Sequence, residues 1–130
     1  MDFRQKTAIV ALLLLFLMGC SAEQLQPTAG VVSGKVKTFV LTGENFKFMM
    51  EGQEGPEMRV KLGDSVRVEF SSTEGFHDWK VDEFQAATEK VRVGNTTTVE
   101  FVADKAGTFE YYCSVGSHRQ MGMKGKLVVE

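Results

Sequence analysis

Two runs of strict alternation, separated by a turn, constrain this chain more than any other feature. Met58, Val60 and Leu62 alternate with Arg59 and Lys61; after Gly63-Asp64, Val66, Val68 and Phe70 alternate with Arg67 and Glu69. A period of two sends successive side chains to opposite faces of a strand. Each run therefore has one apolar face to bury and one charged face for water, and Gly-Asp between them signals a turn. The same pattern recurs elsewhere. Residues 36–42 are rich in β-formers, Gly43-Glu44-Asn45 interrupts them and residues 46–50 resume. Residues 51–56, with two glycines and Pro56, read as a loop. In residues 76–81, His77, Trp79 and Val81 share one face while Asp78 and Lys80 take the other. Residues 84–90 read as a connection with room for a helical turn. Val91 and Val93, then Val99, Phe101 and Ala103, then Phe109, Tyr111 and Cys113, then Leu127 and Val129 mark further strands. Seven to eight short strands with frequent turn signals and no long helix predict an all-β chain, an antiparallel β-sandwich.

The 130 residues argue for one domain behind a leader. Arg4 and Lys6 form a basic start, and residues 8–17 are an apolar run too short for a comfortable membrane span. Leu17-Met18-Gly19-Cys20 then reads as a lipobox. The expected organisation is a signal peptide over residues 1–19, a lipidated flexible tether over 20–35 that begins at Cys20, and the folded domain over 36–130. An ordinary cleaved signal and an uncleaved anchor stay open as alternatives. Cleavage before Cys20 would remove two basic residues and one acidic, taking the formal charge from −2 to −3. So mild a charge points to neither nucleic acid nor an anionic membrane surface as the domain's partner. The expected location is extracytoplasmic, on a membrane through lipid.

Cysteine usage narrows the chemistry. Of two cysteines, lipidation of Cys20 leaves Cys113 alone, without an intramolecular disulfide partner. A free thiol outside the cytoplasm is open to oxidation unless a metal holds it. Within eleven residues, Cys113, His118, Met121 and Met123 supply a thiol, an imidazole and two thioethers. These are soft or borderline donors, suited to copper rather than calcium or magnesium. The one other histidine is His77. Taken singly, His77 reads as a hydrogen-bonded core residue, His118 as a surface loop residue and Cys113 as a small buried hydrophobe. Their coincidence favours one shared metal.

The segment from Gly107 to the C-terminus, with Cys113, His118 and Met123 in a C-x4-H-x4-M spacing and His77 upstream, resembles the cupredoxins, the type 1 (blue) copper family. The resemblance implies a Greek-key β-sandwich. It implies one copper ion, cycling between Cu(I) and Cu(II), on His77, Cys113, His118 and Met123, with Met123 as axial thioether. Met121 is the rival axial ligand; the spacing of His118 from Cys113 favours Met123 in related loops. Asp78 stands where many relatives carry Asn, a residue that ties the two ligand loops together. The loop has Val115-Gly116-Ser117 where many relatives have a proline.

The function so implied is a one-electron carrier, not an enzyme. It would be a monomer meeting a cytochrome, oxidase or reductase transiently through a patch around His118. The alternative is an extracytoplasmic copper-binding protein for delivery or storage, a class that favours labile Met- and His-rich clusters. A binuclear centre would need a second cysteine in the loop, and a multicopper or nitrite-reducing centre further histidines. Trp79, Phe101 and Phe109 read as core, Met49, Met50 and Met58 as filler, Tyr111-Tyr112 as a strand pair, and Arg119 and Lys124 as solvated rim charges.

Overall fold

A computed structural model describes residues 34–130. The leader, Cys20 and nearly all of the expected tether lie outside the described residues. Lys35 already belongs to the fold: its N–H donates to Asp64, and its carbonyl accepts from Ser65. No helix among the described residues is long and apolar enough to cross a membrane.

Among the described residues, twelve strands build two five-stranded sheets and one small pair. They are β1 (Val36–Glu44), β2 (Lys47–Met50), β3 (Gln53–Glu54), β4 (Glu57–Val60), β5 (Ser65–Ser72), β6 (Phe76–His77), β7 (Lys80–Val81), β8 (Ala86–Ala87), β9 (Val91–Arg92), β10 (Thr96–Val102), β11 (Gly107–Tyr112) and β12 (Lys124–Val129). The first sheet runs β10-β5-β1-β2-β3, the second β4-β12-β11-β7-β8, and β6 pairs with β9. This is the all-β sandwich that the alternation implies. In β5 every second side chain is buried, through Val66, Val68, Phe70 and Ser72. The core between the sheets adds Leu41, Phe48, Met58, Trp79, Tyr111 and Leu127, with Trp79 stacked between Phe101 and Tyr111.

Three details depart from the sequence reading. The sheets are mixed: β1 runs parallel to β5, and β4 parallel to β12. Alternation reports which face a strand buries, not the direction of its neighbour, and both pairs are separated by enough chain for a crossover. Residues 76–81 are not one strand. β6 pairs with β9 while β7 pairs with β11, so the backbone changes sheets at Asp78-Trp79, and His77, Asp78 and Trp79 are all buried. Residues 84–90 carry β8, paired to β7, rather than a helical turn.

The pairing gathers several chain segments at one pole. β1 ends there at Gly43-Glu44, β5 at Ser72, and β6 brings His77. β11 delivers Cys113 just past its end, and β12 starts just after Met123.

Candidate metal centre

At that pole three donor atoms face one another. His77 Nδ1 lies 3.1 Å from His118 Nδ1; Cys113 Sγ lies 3.8 Å from His77 Nδ1 and 3.5 Å from His118 Nδ1. Nitrogen and sulfur ligands bond a metal at roughly 2.0–2.3 Å; with bond angles of roughly 100–120°, such donors on one ion stand about 3.1–3.8 Å apart. The triangle is thus the size that a shared ion requires.

Each donor is held by the chain around it. His77 sits 2% exposed, and its Nε2 donates to the Glu74 carbonyl at 2.7 Å. A carbonyl can only accept, so Nε2 carries the proton of this bond, and Nδ1 is the ring nitrogen that faces the other donors. The loop that carries Glu74 is stitched in turn: Thr73 N–H donates to the Gly43 carbonyl, and Ser72 Oγ donates to the Gly75 carbonyl. Gly75 has φ +84°, and a Cβ there would stand 2.9 Å from His77 Nε2, so only glycine lets the backbone turn this close to the ring.

Cys113 is fully buried, and its N–H donates to the Met123 carbonyl. Burial pushes its thiol up to about 11, although the N–H groups of Asp78 and Val115 pull the other way. At neutral pH the metal-free thiol therefore keeps its proton, and a metal must displace it. His118 is held below the usual histidine value, first by burial and then by His77 beside it, so its ring is neutral and ready to ligate.

Asp78 joins the two ligand-bearing segments. It accepts from Ser114 N–H at 2.6 Å on one oxygen and from the Ser114 hydroxyl on the other. Asp78 follows His77 and Ser114 follows Cys113, so these two bonds fix the two ligand backbones relative to each other.

Met123 is buried and Met121 is 55% exposed, where Ser117 Oγ approaches its sulfur. A Cβ built on Gly43 would meet Phe70 Cζ at 2.7 Å, the Met123 methyl at 3.1 Å and His77 Cδ2 at 3.2 Å. The Met123 side chain and the His77 ring therefore converge on one spot, which the missing side chain of Gly43 leaves open.

Phe46 completes the surroundings of His118. With Asn45 it forms the two-residue turn between β1 and β2, both at positive φ (39° and 63°). Asn suits that turn, but an aromatic residue there is strained by about 1–2 kcal/mol. Its ring stands edge-on to the His118 ring at 4.8 Å. Phe46, Phe76 and Val115 line a surface cleft of about 260 Å³ that reaches both imidazoles.

Residues 35–130 match the copper-binding proteins described as the plastocyanin/azurin family. The chain belongs to this family. Its fold is that of rusticyanin from Thiobacillus ferrooxidans (TM-score 0.63, 24% identity, 75% of this chain and 79% of that one). Auracyanin from Roseiflexus castenholzii gives a TM-score of 0.62 at 21% identity, over 75% of this chain and 99% of that one. Among curated proteins it is similar to the L-ascorbate oxidase of Nicotiana tabacum, 27% identical over 148 residues. It spans 95% of this chain in that match but only 26% of the oxidase.

A plastocyanin/azurin-type centre takes copper, and the donor set fits it: one thiol and two imidazoles in a triangle, with a buried thioether close to one of the rings. Sequence reasoning singles out these side chains from residue type, spacing and the family resemblance. It did not identify Ser114, the Glu74 carbonyl, Gly43 or Phe46. A backbone acceptor and a missing side chain leave no mark in residue type, and Gly43 read simply as a strand break.

Proposed function

We propose that this chain is a one-electron carrier whose copper would be held by His77 Nδ1, His118 Nδ1, Cys113 Sγ and the Met123 thioether. The observation that carries this reading is the 3.1–3.8 Å triangle of three donors. Copper on such a site supplies a one-electron couple, Cu(II) to Cu(I), accepted from a donor protein and passed to an acceptor. The chain supplies a geometry that need not rearrange between the two states. It fixes the His77 tautomer, excludes water from Cys113 and Met123, and leaves only the His118 edge near solvent.

That edge lies beside Phe46, Phe76 and Val115. An apolar rim of this size suits brief docking of a cytochrome, oxidase or reductase by a monomer. We place the domain outside the cytoplasm, attached to a membrane through lipid on Cys20, as the lipobox suggests.

The test is the visible spectrum, electron spin resonance and voltammetry of the copper-loaded, air-oxidised protein. The expected result is an intense thiolate-to-copper band, narrow hyperfine splitting and a reversible one-electron wave, with the band lost in Cys113→Ser. A colourless Cu(II) adduct would overturn the reading. Copper that passes freely to a chelator would point instead to delivery or storage.

A further inference from the structure

The ligand loop lacks the stiffening proline, and the two residues that directly follow its ligands are both cations: Arg119 after His118 and Lys124 after Met123. Both reach the same carboxylate. Arg119 donates from Nε to Glu110 Oε1 at 2.8 Å, and its Nη2 lies 2.7 Å from that oxygen. Lys124 Nζ lies 3.3 Å from Glu110 Oε2. Glu110 stands on β11, three residues before Cys113.

The Arg119 guanidinium also lies over the Tyr112 ring, 3.8 Å from its centroid. Tyr112 is anchored in turn, its hydroxyl donating to Asp82 at 2.9 Å. Burial works to raise the Glu110 value, but the bonds from Arg119 and Lys124 outweigh it and hold the carboxyl below its ordinary range. Inside the loop, backbone bonds link His118 to Val115, Gly122 to Arg119, and Met123 to His118. What moves residue 119 therefore moves His118.

We propose that Glu110 is a positioning residue for the metal centre: its carboxylate clamps the loop at the two points that follow His118 and Met123, and the Arg119–Tyr112 stack keeps that clamp closed. The ligand it governs most is His118, the one member of the donor triangle that is not buried. The clamp does for this loop what a ring-constrained residue would do, through side chains instead of backbone. Arg119 is 45% exposed and Glu110 36% in their side chains, so salt weakens the ionic part more than the stack of the guanidinium on Tyr112, which is partly dispersion.

This inference rests on the copper-carrier reading, and its test separates the two. Hydrogen exchange of the His118, Met121, Gly122 and Met123 amides is followed in the metal-free full chain, comparing wild type with Glu110→Gln, Arg119→Gln and the double variant. Copper release to a chelator and the reduction potential are measured on the loaded proteins. The expected result for either single variant is loop exchange and copper release about three- to tenfold faster, with a shifted potential. Because both changes break the same Glu110–Arg119 pair, the effect in the double variant should fall short of the product of the two single effects, and Arg119→Lys should restore only part of the effect. Unchanged loop exchange in Glu110→Gln, or effects that simply add in the double variant, would overturn the clamp. A wild-type protein without the thiolate band would overturn the copper reading and leave the exchange result standing.

Discussion

Gly43→Ala tests how tightly the centre is packed against β1. Gly43 lies in β1 with Phe48 and Ser72 as its cross-strand partners, and its backbone is one that alanine adopts without strain. The change thus isolates a steric effect. The new methyl would stand 2.7 Å from Phe70 Cζ, 3.1 Å from Met123 Cε and 3.2 Å from His77 Cδ2. Carbon atoms rest at about 3.5–4.0 Å, so Phe70 must retreat by about 1 Å and the other two by about 0.5 Å. Phe70, Met123 and His77 are all buried. Overpacking of this kind costs about 1–3 kcal/mol; exchanging glycine for alanine within a strand returns about 0.5–1 kcal/mol. The net loss is about 1–2 kcal/mol, or about 5–15 °C in melting temperature for a domain near 100 residues. The assay is a thermal melt of the metal-free protein together with electron spin resonance of the copper form. Because two of the three displaced groups are proposed ligands, the hyperfine splitting and the thiolate band should shift along with the melt. Wild-type stability and a wild-type spectrum together would refute the packing argument; lower stability with an untouched spectrum would refute the placement of Met123 and His77 about one metal.

Three further predictions concern the donors. Met123→Leu should alter the copper spectrum and raise the reduction potential, whereas Met121→Leu, at an exposed position, should leave both within error; spectra and voltammetry of the pair decide between the two thioethers. Asp78→Asn should raise the potential. The amide still accepts Ser114 N–H and can donate to the Ser114 hydroxyl, so the main change is loss of a negative charge that favours Cu(II); a potential that falls or stays level in voltammetry would contradict this. Copper affinity should strengthen by about tenfold per pH unit from neutral pH toward the thiol's value of about 11, because each ion bound releases the Cys113 proton. His118, held low, is already neutral there and adds no second proton. Competition against a chelator of known pH dependence measures the slope, and a flat profile would show that the thiol is not the group displaced.

The sandwich was legible because burial writes itself into period two. β5 shows this in full, and Phe109, Tyr111 and Cys113 point the same way. Parity carried Cys113 to the interior, and the C-x4-H-x4-M spacing then marked the loop. What parity could not show was pairing. The change of sheets at Asp78-Trp79 depends on partners in β9 and β11, which lie later in the chain. A six-residue strand was therefore read where two of two residues stand. Asp78 was placed on the face opposite His77; it is buried because the backbone turns there and Ser114 meets it. Phe46 looked like the start of a strand, and its left-handed conformation follows from the two-residue turn that joins β1 to β2. Arg119 and Lys124 were read as rim charges. Their exposure fits that reading, but a shared partner on β11 is a tertiary fact.

These cases have a common cause, which bears on how such a centre stays rigid. The donors come from side-chain types that sequence displays openly. Their constraints come from a carbonyl at Glu74, amides at Asp78 and Val115, an absent side chain at Gly43 and a carboxylate at Asp78. Only Asp78 among these is a residue whose type suggests its task. A centre of this kind tolerates much change in its surroundings provided that backbone positions persist, because most of the hydrogen bonds that aim the ligands start or end on the main chain. Side chains take over where the main chain cannot reach. The ligand loop is that place: His118 lies outside both sheets, no strand among the described residues pairs with residues 114–122, and the carboxylates of Asp78 and Glu110 hold it, one at Ser114 and the other at Arg119 and Lys124.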